Sequence, residues 1–212
     1  MFDGLDENDF SNVVTMLVSR GVQAIDAQRL VTSMVKGTSY NQGPTGFFGL
    51  YGQGGLSRAA RRHRSLNVEG LEVLDLRSTR PDGENWDFSR ASDRAWALRL
   101  LRQQKPMWVI ASPPCTAFSV INRNLNFVRM SPEEVNRRVE EGMVHIRFVC
   151  KVYQYQLRHG RYFLHEHPRS ASSWGTSHIQ NILKHKSVHV TKCHQCQYGA
   201  LPRAMPEATL RF

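Results

Sequence analysis

Two short motifs place chemistry-bearing residues directly after apolar runs. The first is Ser112-Pro113-Pro114-Cys115, which follows residues 107–111 (MWVIA) and continues Thr116-Ala117-Phe118-Ser119. Two prolines fix the backbone and remove its donors, so the thiol behind them is held rigidly at a strand mouth, where a nucleophile is useful. Its reactivity there depends on pKa and access. The second is Leu164-His165-Glu166-His167-Pro168, after residues 161–164 (RYFL). A carboxylate directly after an apolar strand is partly desolvated, which favours acid–base work near neutral pH. Adjacent residues of an extended segment point to opposite sides, so His165, Glu166 and His167 do not read as one metal site.

Three further groups have spacing that suits ligands. Tyr51-Gly52-Gln53-Gly54-Gly55 lets a backbone approach a ligand closely, with the N–H groups of a following helix free beside it. Asp75 stands about 20 residues beyond those glycines, the usual distance for a ribose-binding carboxylate in a nucleotide-binding βαβ unit, and reads equally well as a turn cap. Asp87, in NWDF, is a second acid of that kind. Cys193-His194-Gln195-Cys196, with His189 before it, has the spacing of half a zinc site, but the chain holds no second CxxC. Cys150 lies among apolar neighbours of a helical pattern and reads as core.

The elements that must position these residues alternate. Strands are expected at 47–51, 71–76, 107–111, 161–166 and 188–190. Helices are expected over a segment beginning at Leu56, over 92–104, from Ser131 to Gly160, and near 178–185. Ser131-Pro132-Glu133-Glu134 combines a serine cap, proline at the first helical position and an early glutamate, a strong helix start. Such alternation with short loops predicts an α/β fold, a Rossmann-like, doubly wound and mostly parallel sheet, with ligands beyond the carboxyl ends of its strands. Residues 10–36 repeat apolar positions at helical spacing and residues 37–46 are turn-rich. Residues 1–45 therefore read as a helical lead-in and linker, and 46–212 as the domain proper.

The 212 residues hold 28 Lys+Arg against 18 Asp+Glu, a net charge of +10, with 41% hydrophobic residues. That is enough apolar content for a core, and no apolar run approaches the roughly 20 residues of a membrane span. The acidic start MFDGLDENDF lacks the layout of a secretory signal, so the four cysteines are expected free, in an intracellular, reducing compartment. The basic excess suggests a polyanionic partner. Arg58, Arg61, Arg62 and Arg64, on the helix after the glycines, are candidates to meet phosphates, or form a solvated face.

Together, SPPCTAFS and a following strand that ends in HEHP resemble the DNA (cytosine-5) methyltransferases. They are similar also to methyltransferase-like segments of protist polyproteins, some of retroelement type. The resemblance runs from about residue 47 to about residue 203 and implies S-adenosylmethionine as cofactor. It implies Cys115 as nucleophile and Glu166 as the carboxylate that holds the base. Gly52, Gly54 and Gly55 would form the cofactor loop, with Asp75 on the ribose, Asp87 near the adenine and Pro114 beside the site. QYGALPR, ending at Arg203, faintly matches a late family motif. The partner implied is DNA, with RNA open and a nuclear location if DNA is right. The chain departs from the family at Leu50-Tyr51, at Thr116 (glutamine in the family) and at His167-Pro168 (asparagine-valine), and is expected to lack a separate target-recognition domain. Amino-group methylation is disfavoured by Cys115 standing where an aromatic would stack. A non-catalytic domain binding nucleic acid through its basic surface is the alternative from another class.

Overall fold

A computed structural model of the chain describes residues 45–52 and 68–192. The expected helical lead-in, the glycines beyond Gly52, the arginine-rich segment and the CHQC and QYGALPR motifs lie outside them. The fold is α/β. Four strands, β1 (Thr45–Leu50), β2 (Val68–Leu74), β3 (Trp108–Ala111) and β4 (Tyr162–His165), form one sheet of order β2-β1-β3-β4. All three pairings are parallel. The helices are α1 (Ala91–Gln104), α2 (Val120–Leu125), α3 (Pro132–Arg158) and α4 (Ser177–Leu183).

Burial alternates along the two inner strands. Phe48 and Leu50 of β1 and Val109 and Ala111 of β3 are buried, and they share a core with Leu101 of α1, Ile146, Val149 and Tyr153 of α3 and Ile179 of α4. Phe47, Trp108 and Tyr162 are register partners on the other face, and their rings stack in a row. β1 and β2 approach so closely that a Cβ on Gly46 would stand 2.5 Å from Leu71 Cδ1, which explains a glycine within a strand.

The local signals act as the residue types require. Ser131 Oγ accepts from Glu134 N at 3.2 Å and Pro132 opens α3, so this helix starts where the sequence says. Lys105 closes α1 in the left-handed region at φ 47°, with Pro106 behind it. Gln156, fully buried on α3, donates from Nε2 to the carbonyls of Pro106 and Tyr162, tying the approaches to β3 and β4 together.

Strand β2 spans 68–74 rather than 71–76, because Asp75 and Ser78 close a turn at its end that withdraws residues 75 and 76 from the ladder. The long helix stops at Arg158, two residues before Gly160, whose φ of 64° turns the chain toward β4. The strand expected at 188–190 does not form. His189 and Val190 are exposed, and no partner strand among the described residues pairs with them.

Candidate active site

The register sets the geometry of the carboxyl rim. Leu50 pairs with Leu74 and with Ala111, and Ala111 pairs with His165, so all four strands end level. The next residue of each continues the ranks: Tyr51 N donates to Leu74 O, Ser112 N to Leu50 O and Glu166 N to Ala111 O. Asp75, Tyr51, Ser112 and Glu166 therefore form one row across the sheet, in which neighbouring strands are spaced about 4.8 Å. The chain leaves β1 toward β2 on one side, and β3 lies on the other. The strand order thus reverses between β1 and β3, the position at which ligands bind in open parallel sheets.

Cys115 follows β3 through Pro113, which is buried, and Pro114, which is exposed. The thiol is a free, half-buried cysteine that leads into a single turn, Thr116–Phe118. Three neighbours grip that turn. Asn122 Nδ2 donates to Thr116 O at 2.9 Å, and Ser172 Oγ reaches Phe118 O at 3.4 Å. Gly142 of α3 admits it: a Cβ there would lie 2.8 Å from Ala117 Cβ and 3.0 Å from the Phe118 ring. A cavity of about 380 Å³ opens beside it, lined among others by Pro114, Thr116, Ala117, Phe127, Gly142 and His145. That volume lies in the range of small-molecule sites.

Glu166 is half-buried, directly beyond β4. The rings of His165 and His167 stand 5.3 Å apart on one side of the chain, so alternation turns Glu166 the other way. His165 Nδ1 meets Tyr153 OH at 2.8 Å, and burial lowers its pKa to about 4, with His167 acting the same way. Among the described residues no three of His, Cys, Asp and Glu converge as metal ligands. Cys150 is a core residue, 3% exposed, and burial pushes its thiol up to about 12.

The cofactor candidates divide. Among the described residues nothing lies within 4 Å of a Cβ built on Gly52, which follows Tyr51, whose φ of 61° is a strained backbone for a residue other than glycine. Asp75 sits on the rim beside them; Oδ1 accepts Arg77 N of its own turn at 3.0 Å, and among the described residues Oδ2 has no hydrogen-bond partner. Asp87 lies at the start of α1, where Oδ1 accepts from Ser89 N and Oγ and Oδ2 lies 3.4 Å from Arg90 Nε. The Ser89 hydrogen bonds hold its carboxyl below the usual range. Buried Asp93 supports this loop, binding Arg80 Nη1 at 2.6 Å and Asp87 N at 2.8 Å. Gly54, Gly55, Arg58, Arg61, Arg62 and Arg203 lie outside the described residues.

Sequence reading missed two contributors. Tyr51 OH meets His145 Nδ1 at 3.0 Å, and Tyr51 packs edge-on against Phe88 at 4.9 Å. Burial lowers the His145 pKa, while Asp87 acts against that. The available signal was Gly142: an interior glycine costs a helix about 1 kcal/mol and marks a close approach. Comparison of the chain with family models, with curated proteins and with solved structures gives no match.

Proposed function

We propose that residues 46–212 form a Rossmann-like, doubly wound methyltransferase domain that acts on C5 of cytosine in DNA. One observation carries the reading. The β3–β4 register, extended by Glu166 N to Ala111 O, sets Glu166 level with Ser112, the residue that opens the Pro-Pro-Cys loop. The strand order supports the doubly wound part: β1 to β2 and β2 to β3 step in opposite directions, and right-handed crossovers then use opposite faces.

The residues present fit S-adenosylmethionine: the backbone at Gly52 and Oδ2 of Asp75, both free of neighbours among the described residues, would hold it, and Asp87 would join by releasing Ser89. When bound, that group supplies a methyl on a sulfonium, an electrophile. C5 of cytosine is a poor nucleophile by itself. The Cys115 thiolate adds to C6, which turns the ring into an enamine nucleophilic at C5. Glu166 holds or protonates N3, so negative charge does not accumulate as the thiolate adds. After C5 takes the methyl, its proton leaves and the C5–C6 double bond re-forms, expelling the thiolate. The base must first leave the duplex stack, at a cost on the order of a few kcal/mol that protein contacts offset.

A second reading, a non-catalytic domain that binds DNA or RNA through its basic surface, is favoured by the net charge of +10 and by the engagement of Asp87 in its own turn. Calorimetric titration with S-adenosylmethionine and its demethylated product separates the two. Micromolar binding, lost in Asp75→Ala, is the expected result. A folded protein that binds neither would overturn the methyltransferase reading and leave the nucleic-acid binder.

A further inference from the structure

Behind the loop that carries Cys115 lies a buried polar side chain that the proposed reaction does not use. His167, two residues beyond β4, is 8% exposed. Its Nδ1 lies 2.5 Å from Oγ of Ser173, itself fully buried. Nε2 is buried too, with no hydrogen-bond partner of standard geometry among the described residues. Burial lowers the pKa of the ring, and backbone hydrogen bonding at Pro114 and Pro113 acts the other way. A neutral imidazole has one N–H and one acceptor nitrogen. A Pro-Pro segment has no N–H, so its carbonyls are the only backbone handles by which a neighbour can hold it. No described backbone N–H is paired with either carbonyl, so both are free to accept from a neighbouring side chain.

We propose that His167 is a positioning residue for Cys115: anchored on Ser173 through Nδ1, it aims Nε2–H at the Pro113–Pro114 carbonyls and fixes the backbone that presents the thiol. The inference rests on the reading of Cys115 as the nucleophile. A second tie comes from the same turn, since Ser172 Oγ reaches Phe118 O, and the Phe118 ring lies 6.0 Å from that of His167. Two consecutive serines thus hold both ends of the Cys115 segment, one directly and one through the imidazole. This couples β4, which carries Glu166, to the loop that carries the nucleophile.

The test is alkylation of the full-length protein by iodoacetamide, read at the Cys115 peptide by mass spectrometry. His167→Leu removes both nitrogens, whereas His167→Gln keeps an N–H at similar reach. The leucine variant is expected to alkylate about 3- to 10-fold faster at Cys115, the change that loss of one hydrogen bond gives, with the glutamine variant close to wild type. Cys150, buried on α3, serves as internal control, and a parallel gain there would mean general loosening and overturn the proposal. So would an unchanged Cys115 rate in folded His167→Leu. If that variant does not fold, Ser173→Ala decides by the same two outcomes, acceleration or none. The assay contains neither S-adenosylmethionine nor nucleic acid. A protein that shows the clamp yet binds no S-adenosylmethionine would sink the methyltransferase reading and leave the positioning role standing.

Discussion

Gly142 shows how one residue fixes the site. Any side chain at this point of α3 meets the Thr116–Phe118 turn, since even a methyl would stand 2.8 Å from Ala117 and 3.0 Å from Phe118. Alanine favours the helix by about 1 kcal/mol, but forcing a methyl into packed neighbours costs about 1–3 kcal/mol, so the overpacking wins. Gly142→Ala is therefore expected to lower the urea midpoint and to displace the Cys115 turn, measured by denaturation and by hydrogen exchange at residues 115–119. An unshifted midpoint with unchanged exchange would contradict that packing. The places of Cys115 and Glu166 just beyond β3 and β4 were legible in the sequence because prolines and strand ends leave strong local marks. Tyr51 and His145 were not, since their meeting depends on a positive φ after β1 and on which face α3 turns inward.

At the scale of elements, His165 joins the end of β4 to Tyr153 of α3. Burial, with His167 beside it, lowers the His165 pKa from the ordinary 6.5 to about 4. A histidine whose folded pKa is depressed binds its proton more readily in the unfolded chain. Its stabilising effect is therefore complete above about pH 6.5 and is lost as pH falls toward 4. His145 and His167, also lowered by burial, act in the same direction. The fold is expected to lose about 2–3 kcal/mol from His165 across that window. Urea unfolding at pH 7.5 and 4.5 measures it, and His165→Phe is expected to flatten the acid limb. A wild-type stability constant across the window would refute the linkage. Strand and helix alternation foretold these elements because periodicity is local. The strand expected at 188–190 shows the limit, since periodicity in a short run does not say whether it pairs, and among the described residues this one does not.

The whole molecule brings four strand ends level, so residues distant in sequence share one rim. The level ends depend on register, which periodicity cannot report, and the order β2-β1-β3-β4 depends on crossovers that no single segment encodes. The net charge of +10 adds a prediction at this scale. Binding to duplex DNA is expected to weaken linearly in log Kd against log salt, with a slope that counts the phosphates neutralised, as fluorescence titration would read. Affinity independent of salt would argue against a phosphate-led interface.

The central claim is a covalent bond between Cys115 and cytosine, and its most direct test uses DNA in which C5 carries fluorine. Fluorine cannot leave as a proton, so the thiolate cannot be expelled after methyl transfer. In the presence of S-adenosylmethionine, the wild-type protein is expected to form a DNA adduct that survives denaturing electrophoresis, mapping to the Cys115 peptide and absent in Cys115→Ser. No adduct from folded protein that binds both DNA and S-adenosylmethionine, or an adduct that persists in Cys115→Ser, would contradict the account.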